Sequence, residues 1–574
     1  MLCFSCKSQL AVDVADSRAS PAATCVAGQA DCAPSSEAPQ SPSAEEPAQT
    51  PPPPVPFAFL GLTGSQSGTD LSFQLSGTAA AETTVSLYAN ADCSGSPAQT
   101  LPAEDFKNGV SLTVALAAVT RFSATTTDKD GLVSDCVEAP VTYTQLAWTW
   151  QAGPTVKSDA GHYGVKGVAS PDNYPPARSA AVTLLDSKGN LWLYGGNSLG
   201  GWSDLNDLWK HDKATGLWTW VAGSSSLNPT GNFGTLGVAD AANTPCSHAA
   251  GSGWVDADDN LYFFGGMAYK CITPGSWIHM SDLWKFDPET SLWTWLGGSD
   301  HSTAAGVYGT KNVPDHLNQP GGRMNYGIWQ KGTDTIWIYG GEGIDGNGLG
   351  GDLADLWSYD IPTGVWTWLG GSKERNQDAS FGTLREASAS NLPGSLEGGS
   401  TWRDTDGNLW LFGGNAYIGG TRGLTNTLWK YDISTGLWTW MQGSNTLNPP
   451  AVGAVAGQAS ALATPGGIRH SAHWTDSNGD FWIYGGSTST GTGGLWRYSP
   501  ASGQWLPISD LADASHAPIY GDLSMPASST SPGSRTDMSA WVDGQNRLWM
   551  FGGSVYTSDG TSGKFNDLWS LPVP

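Results

Sequence analysis

From residue 146 onward, short runs of alternating apolar and polar residues return at a regular interval. The first full unit holds Ser179–Asp186, Leu191-Trp-Leu-Tyr194, Asp207-Leu-Trp-Lys-His211 and Leu217-Trp-Thr-Trp-Val221. Period-2 runs of this length, bounded by Ser187-Lys-Gly-Asn190 and Ala214-Thr-Gly216, predict four strands, a to d, with tight a–b and c–d turns. Strand b ends in a double glycine that recurs at 195–196, 265–266, 340–341, 413–414, 485–486 and 552–553. The spacings of 70, 75, 73, 72 and 67 residues mark a repeat architecture. Four short strands and one aromatic set per unit predict the blade of a β-propeller.

The blade count follows from an offset. Trp148-Thr149-Trp150 recurs at 218–220, 293–295, 366–368 and 438–440, with a worn copy at Gln504-Trp505-Leu506. Strand c occurs at Trp209, Trp284, Trp357, Trp429, Trp496 and Trp569, and too few residues follow Trp569 for another strand d. The unmatched copy at 148–150 is therefore predicted to be the outer strand of the last blade. This gives an all-β, six-bladed propeller over 146–574, closed by its N-terminal strand. Of the 29 tryptophans, 27 fall at repeated positions on strands a to d, where packing between blades accounts for them better than a sugar platform does. Trp202 and Trp277 remain. Strand a is otherwise made of small residues, as expected near a crowded axis, and the double glycines imply close backbone approach or positive φ.

Leu205-Asn-Asp-Leu-Trp-Lys-His-Asp212 and Lys430-Tyr-Asp-Ile-Ser-Thr-Gly-Leu-Trp438 resemble the kelch repeat, and the likeness runs through all six units. The units exceed the usual kelch length of roughly 50 residues by about 20. The surplus has its own pattern, as in Gly231-Asn-Phe-Gly-Thr235, Gly306-Val-Tyr-Gly-Thr310 and Pro320-Gly-Gly-Arg323. Kelch propellers are similar to the central domain of galactose oxidase, which implies an alternative function as a copper-radical oxidase or another carbohydrate-active enzyme. No Tyr/His quartet for copper can be assigned, and no Gly-x-Ser-x-Gly elbow or HExxH is present.

Residues 57–145 read differently. Leu71–Leu75, Val85–Tyr88, Val110–Val114 and Phe122–Thr126 alternate at period 2 and suit a β-sandwich. Gly77-Thr-Ala79, Thr84–Tyr88, Cys93 and the run from Asp128 to Cys136 resemble bacterial Ig-like repeats. That resemblance implies a Cys93–Cys136 disulfide. Residues 1–56 form an Ala/Ser/Pro-rich tether ending in Pro51–Pro54, too poor in apolar residues to make a core.

The charge balance, 52 acidic against 27 basic side chains, argues against a nucleic-acid partner. The eight cysteines fall into local pairs, with Cys25 and Cys32, Cys93 and Cys136, and Cys246 and Cys271 the expected bridges. This implies an oxidising, extracytoplasmic setting. No apolar run is long enough for a transmembrane helix. Phe4-Ser5-Cys6 resembles a remnant of a lipoprotein cleavage site, which would place the protein on an outer surface by a lipid anchor. The a–b turns 256–260, 404–408 and 476–480 are rich in Asp, Asn and Gly, as hairpin turns are without any metal. His470 and His473 lie three apart on a strand, a poor spacing for a shared metal. No metal, cofactor or catalytic residue is assigned.

The b–c and d–a connections are long and emerge on the same face, so that face is the expected binding surface. Two candidate sets lie there. Trp202 and Trp277 occupy b–c loops of neighbouring blades. Arg178, His248, Arg323 and Arg535 stand 17 residues before the first glycine of their units, with Arg469 one residue off register and Leu396 breaking the pattern. Arginines at a channel mouth suit a carboxylate or sulfate, or pair with acidic loop residues such as Asp204, Asp282 or Asp352. The sequence therefore points to a non-enzymatic binding or adhesion protein with a protein or glycan ligand.

Overall fold

The structure, a computed structural model, describes residues 58–62, 72–113, 119–144, 146–198, 203–269, 271, 277–300, 304–453, 462–489, 491–508, 517–527, 529–556 and 562–573. The expected tether, the Cys25–Cys32 pair and Trp202 lie outside the described residues. The fold is all-β, with one short helix, Ala103–Lys107, among the described residues.

Residues 58–144 form two antiparallel sheets. One orders Ala58–Leu62, Ser72–Thr78 and Val110–Thr113; the other orders Gln99–Pro102, Thr84–Tyr88, Val119–Thr127 and Val137–Thr144. Leu75 and Leu112 from the first sheet and Val85, Leu87, Phe122 and Ala124 from the second share one core, with Phe106 of the helix. The Cys93–Cys136 disulfide is formed.

Residues 149–572 form six four-stranded antiparallel sheets, of which the fourth gains a short fifth strand. In sheet 1 the strands a to d are Val182–Leu185, Leu191–Tyr194, Leu208–His211 and Trp218–Ala222. In sheet 6 strands a to c are Ser539–Val542, Arg547–Tyr556 and Ser562–Pro572, and strand d is Thr149–Ala152. The first strand of the ring thus pairs with the last, as the offset predicts.

The innermost backbone closes a circle. Ala180 N–H donates to Asp537 O, Asp537 to His470 O, His470 to Gly398 O, Gly398 to Asn325 O, Asn325 to Ala250 O and Ala250 to Ala180 O, at 2.8–3.1 Å. Each of these six residues has a positive φ, between 53° and 71°. That conformation turns each N–H along the circumference toward the preceding sheet and not along its own ladder. Six sheets joined head to tail in this way are consistent with a β-propeller. Both glycines of every pair also have positive φ, and a Cβ on Gly195 would stand 2.5 Å from His248 O of the next sheet. The double glycine is therefore required both by its conformation and by sheet-to-sheet contact.

The strand-c tryptophans Trp209, Trp284, Trp357, Trp429, Trp496 and Trp569 are all fully buried between sheets. The first tryptophan of each strand d is buried as well, while Trp150, Trp220, Trp295, Trp368 and Trp440 are half-buried at the rim.

The surplus length of the d–a connections has a structural use. Among the described residues, four of them cross the outer edge of the sheet that follows. Ser170, Asp240 and Asp315 bridge to Trp218, Trp293 and Trp366, and Ala387–Ser388 pairs with strand d of sheet 4. Buried Asn173, Asn243, Asn318 and Asn391 pin these crossings by donating from Nδ2 to the carbonyls of Trp218, Trp293, Trp366 and Trp438. An exposed strand edge invites pairing with another chain, and this belt covers it. The d–a loops are thus largely an edge cover, which narrows the expected binding surface to the b–c side.

Candidate functional site

The four basic residues expected to grip an anion are buried and already paired. The guanidinium groups of Arg178, Arg323 and Arg535 have no exposure and bind Asp207, Asp355 and Asp567 through both carboxylate oxygens at 2.6–3.1 Å. His248 Nε2 lies 3.1 Å from both oxygens of Asp282. Each aspartate also accepts from the indole two residues on, Trp209, Trp284, Trp357 or Trp569, at 2.7–2.8 Å. Tyr163, Tyr308 and Tyr520 of the edge-covering segments donate to Asp207, Asp355 and Asp567. These groups tie the lead-in segment, strand c and the edge cover of one sheet together. The structure therefore places these four expected binding residues in buried pairs, with Arg535 Nε left without a hydrogen-bond partner among the described residues.

The pair is present or absent as a unit. Sheets 4 and 5 carry Leu396 and Ile468 at the basic position, and Thr427 and Gly494 stand where the aspartate would be. A lone buried aspartate or arginine would be an uncompensated charge, so both partners are replaced together. In sheet 4 the Trp429 indole N–H consequently has no hydrogen-bond partner.

The a–b turns are self-satisfied. Asp404 Oδ1 accepts from Asn408 N, and Oδ2 accepts from Asn408 Nδ2 and Trp410 Nε1. Asp186, Asp256, Asp476 and Asp543 repeat the arrangement. These carboxylates serve the turn.

The b–c side is built up. Past the double glycines, Glu342–Ile344 pairs with Gly350–Asp352, Asn415–Ile418 with Thr421–Leu424, and Ser487–Thr488 with Gly491–Thr492. In sheet 2 the ladder continues to Tyr269 opposite Trp277. Their rings lie 4.9 Å apart and are half-buried at the hairpin end. The Cys246–Cys271 disulfide ties this hairpin to the lead-in segment of the same sheet. Lead-in pairs Arg178–Ser179, Arg323–Met324, Leu396–Glu397 and Ile468–Arg469 join the hairpins next to the axis.

A continuous charged network lies where these hairpins meet. Glu397, 1% exposed, accepts from Arg469 at 2.6 Å, His470 at 2.8 Å, Asn415 at 3.0 Å and Arg422 at 3.3 Å. Arg422 binds Asp352 through two nitrogens, at 2.5 and 3.0 Å, and lies 3.8 Å from Glu342. His470 also reaches Asp537 at 3.1 Å, and His279 lies 3.9 Å from Glu342. Five of the six sheets contribute.

Burial pushes the Glu397 carboxyl up, but His470 and Arg469 outweigh it and hold it at about 2. Burial pushes the His470 imidazole down, but Asp537 and Glu397 raise it to about 10, so it is a fixed cation. Burial raises Asp352 against the pull of Arg422, and burial lowers His279.

The network is built from the two units that break the repeat. Glu397 follows Leu396 and Arg469 follows Ile468, at the position held by Ser179, Ala249, Met324 and Thr536 elsewhere. The off-register Arg469 and the misfit Leu396 were the available signal. Arg422 and Glu342 gave none, because they sit in hairpins of differing length.

No protein-family model matches this chain, and no curated protein does. Among solved structures, the chain is similar to the structure of YjhT at 15% identity and a TM-score of 0.40, over 70% of this chain and 96% of that one.

Proposed function

We propose that the chain is a non-enzymatic, extracytoplasmic binding or adhesion protein. In this reading residues 1–56 are a tether, 57–145 an Ig-like sandwich, and 146–574 a six-bladed kelch-type propeller that presents a protein or glycan ligand site on its b–c face. The observation that carries it is the asymmetry between the two ends of the ring. One end has short turns whose polar groups are satisfied internally, and the other has hairpins gathered around a partly exposed charged network. Binding residues concentrate on elaborated connections held by a rigid scaffold. The two disulfides fit an oxidising compartment.

The test is array screening of the full chain against glycans and surface proteins. Captured ligand should be lost with Trp277→Ala and retained with Lys188→Glu or Asp258→Lys on the short-turn end. The opposite pattern would place the site elsewhere.

A further inference from the structure

Glu342 and Arg422 are neighbouring, oppositely charged and each 37% exposed on the side chain, at the mouth of the ring. Arg422 is held from behind by two buried carboxylates, Asp352 at 3% and Glu397 at 1% exposure. Its Nη1 has no hydrogen-bond partner among the described residues, nor have Nε and Nη2 of the one-third-exposed Arg469. The mouth therefore presents oriented donors beside an accessible carboxylate, and neither partner must reorganise to receive a ligand.

The charge balance narrows the ligand. Arg422, Arg469, His470 and Lys564 face five carboxylates, Glu342, Asp352, Glu397, Asp537 and Asp204. An anionic ligand would add another negative charge to a network that already has one too many. A neutral polyol adds none. Two adjacent hydroxyls match the pair, since one oxygen accepts from the guanidinium while the neighbouring O–H donates to the carboxylate.

Resting on the binding role proposed above, we infer that the axial mouth takes the vicinal diol of a neutral sugar residue, with Arg422 as donor and Glu342 as acceptor. Arg469 supplies a further donor across the buried Glu397 carboxylate.

The experiment uses the full chain and two matched sets of oligosaccharides, ending in neutral hexose or in glucuronate, with affinities from calorimetry. Glu342→Ala leaves Asp352 and Glu397 paired, so its fold is expected to be intact, with unchanged melting. It should weaken binding of the neutral set at least tenfold. Arg422→Lys keeps the charge, loses the two-pronged geometry and should weaken the same set. Tighter binding of the glucuronate set, or unchanged affinity in both variants, overturns the proposal. If the variants bind normally while Trp277→Ala does not, the b–c face stands and the axial seat falls. If the full chain binds neither sugars nor surface proteins, both fall.

Discussion

Trp150 and Trp569 stand opposite each other on neighbouring strands, although more than 400 residues separate them in sequence. Their pairing is where the ring closes. Trp150 N–H and carbonyl groups lie on an edge that Ser524 N–H also reaches, at 2.8 Å to the Trp150 carbonyl, so the closing strand is held from both sides.

Removing residues 146–153 should therefore open the last sheet and the ring. The loss includes Trp148, 7% exposed, and a four-residue strand. Burying one such indole is worth on the order of 3 kcal/mol or more. Denaturant unfolding should show a far larger loss than an equal cut in an exposed loop.

The buried Arg323–Asp355 pair predicts a thermodynamic cycle. Asp355→Asn alone leaves the Arg323 charge buried without its partner and should cost about 3–5 kcal/mol. Arg323→Leu with Asp355→Thr copies what sheet 4 carries at Leu396 and Thr427 and should cost much less than the single change. Equal losses in the single and double variants would sink the account of why the two residues change together.

The Glu397–His470–Asp537 network predicts a pH window. His470, raised to about 10, stabilises fully below its ordinary value of 6.5, and its contribution is lost as pH climbs through 10. Glu397, held at about 2, stabilises above its ordinary 4.5 and loses that contribution as pH falls toward 2. Melting should be highest between these limits, and His470→Gln should flatten the alkaline limb specifically. An unchanged alkaline limb in that variant would exclude His470 as its source.

Cys246 and Cys271 enclose a separation of 25 residues. Closing a loop of that size in the unfolded chain is worth about 3 kcal/mol. Replacing both cysteines with serine should lower stability by that order. Because the disulfide holds the Tyr269–Trp277 hairpin, the double variant should also show altered tryptophan fluorescence.

Much of the architecture was legible from one dimension. The double glycines, the Asp-Leu-Trp of strand c and the Trp-Thr-Trp of strand d are local, periodic signals, and their offset alone specified how the ends meet. Strand limits in the first unit agree with the structure to within a few residues, because alternation and turn chemistry are short-range effects. The strands at Ala58–Leu62, Gln99–Pro102 and Val137–Thr144 were missed; the first two carry no clean alternation, and the third alternates but contains Pro140, which argues against a strand interior.

The candidate site was far less legible. Arg178, His248, Arg323 and Arg535 form a regular series, but regularity in a repeat mostly reports packing, and in four of the six sheets that is a buried pair. Site residues come from where the units differ. Glu397, Arg469 and His470 stand beside the two breaks in the series, while Glu342 and Arg422 become neighbours only because five sheets meet at one axis. Periodic packing is encoded locally and can be read from the sequence. The convergence of unlike residues on an axis depends on closing the ring, and only the tertiary structure decides it.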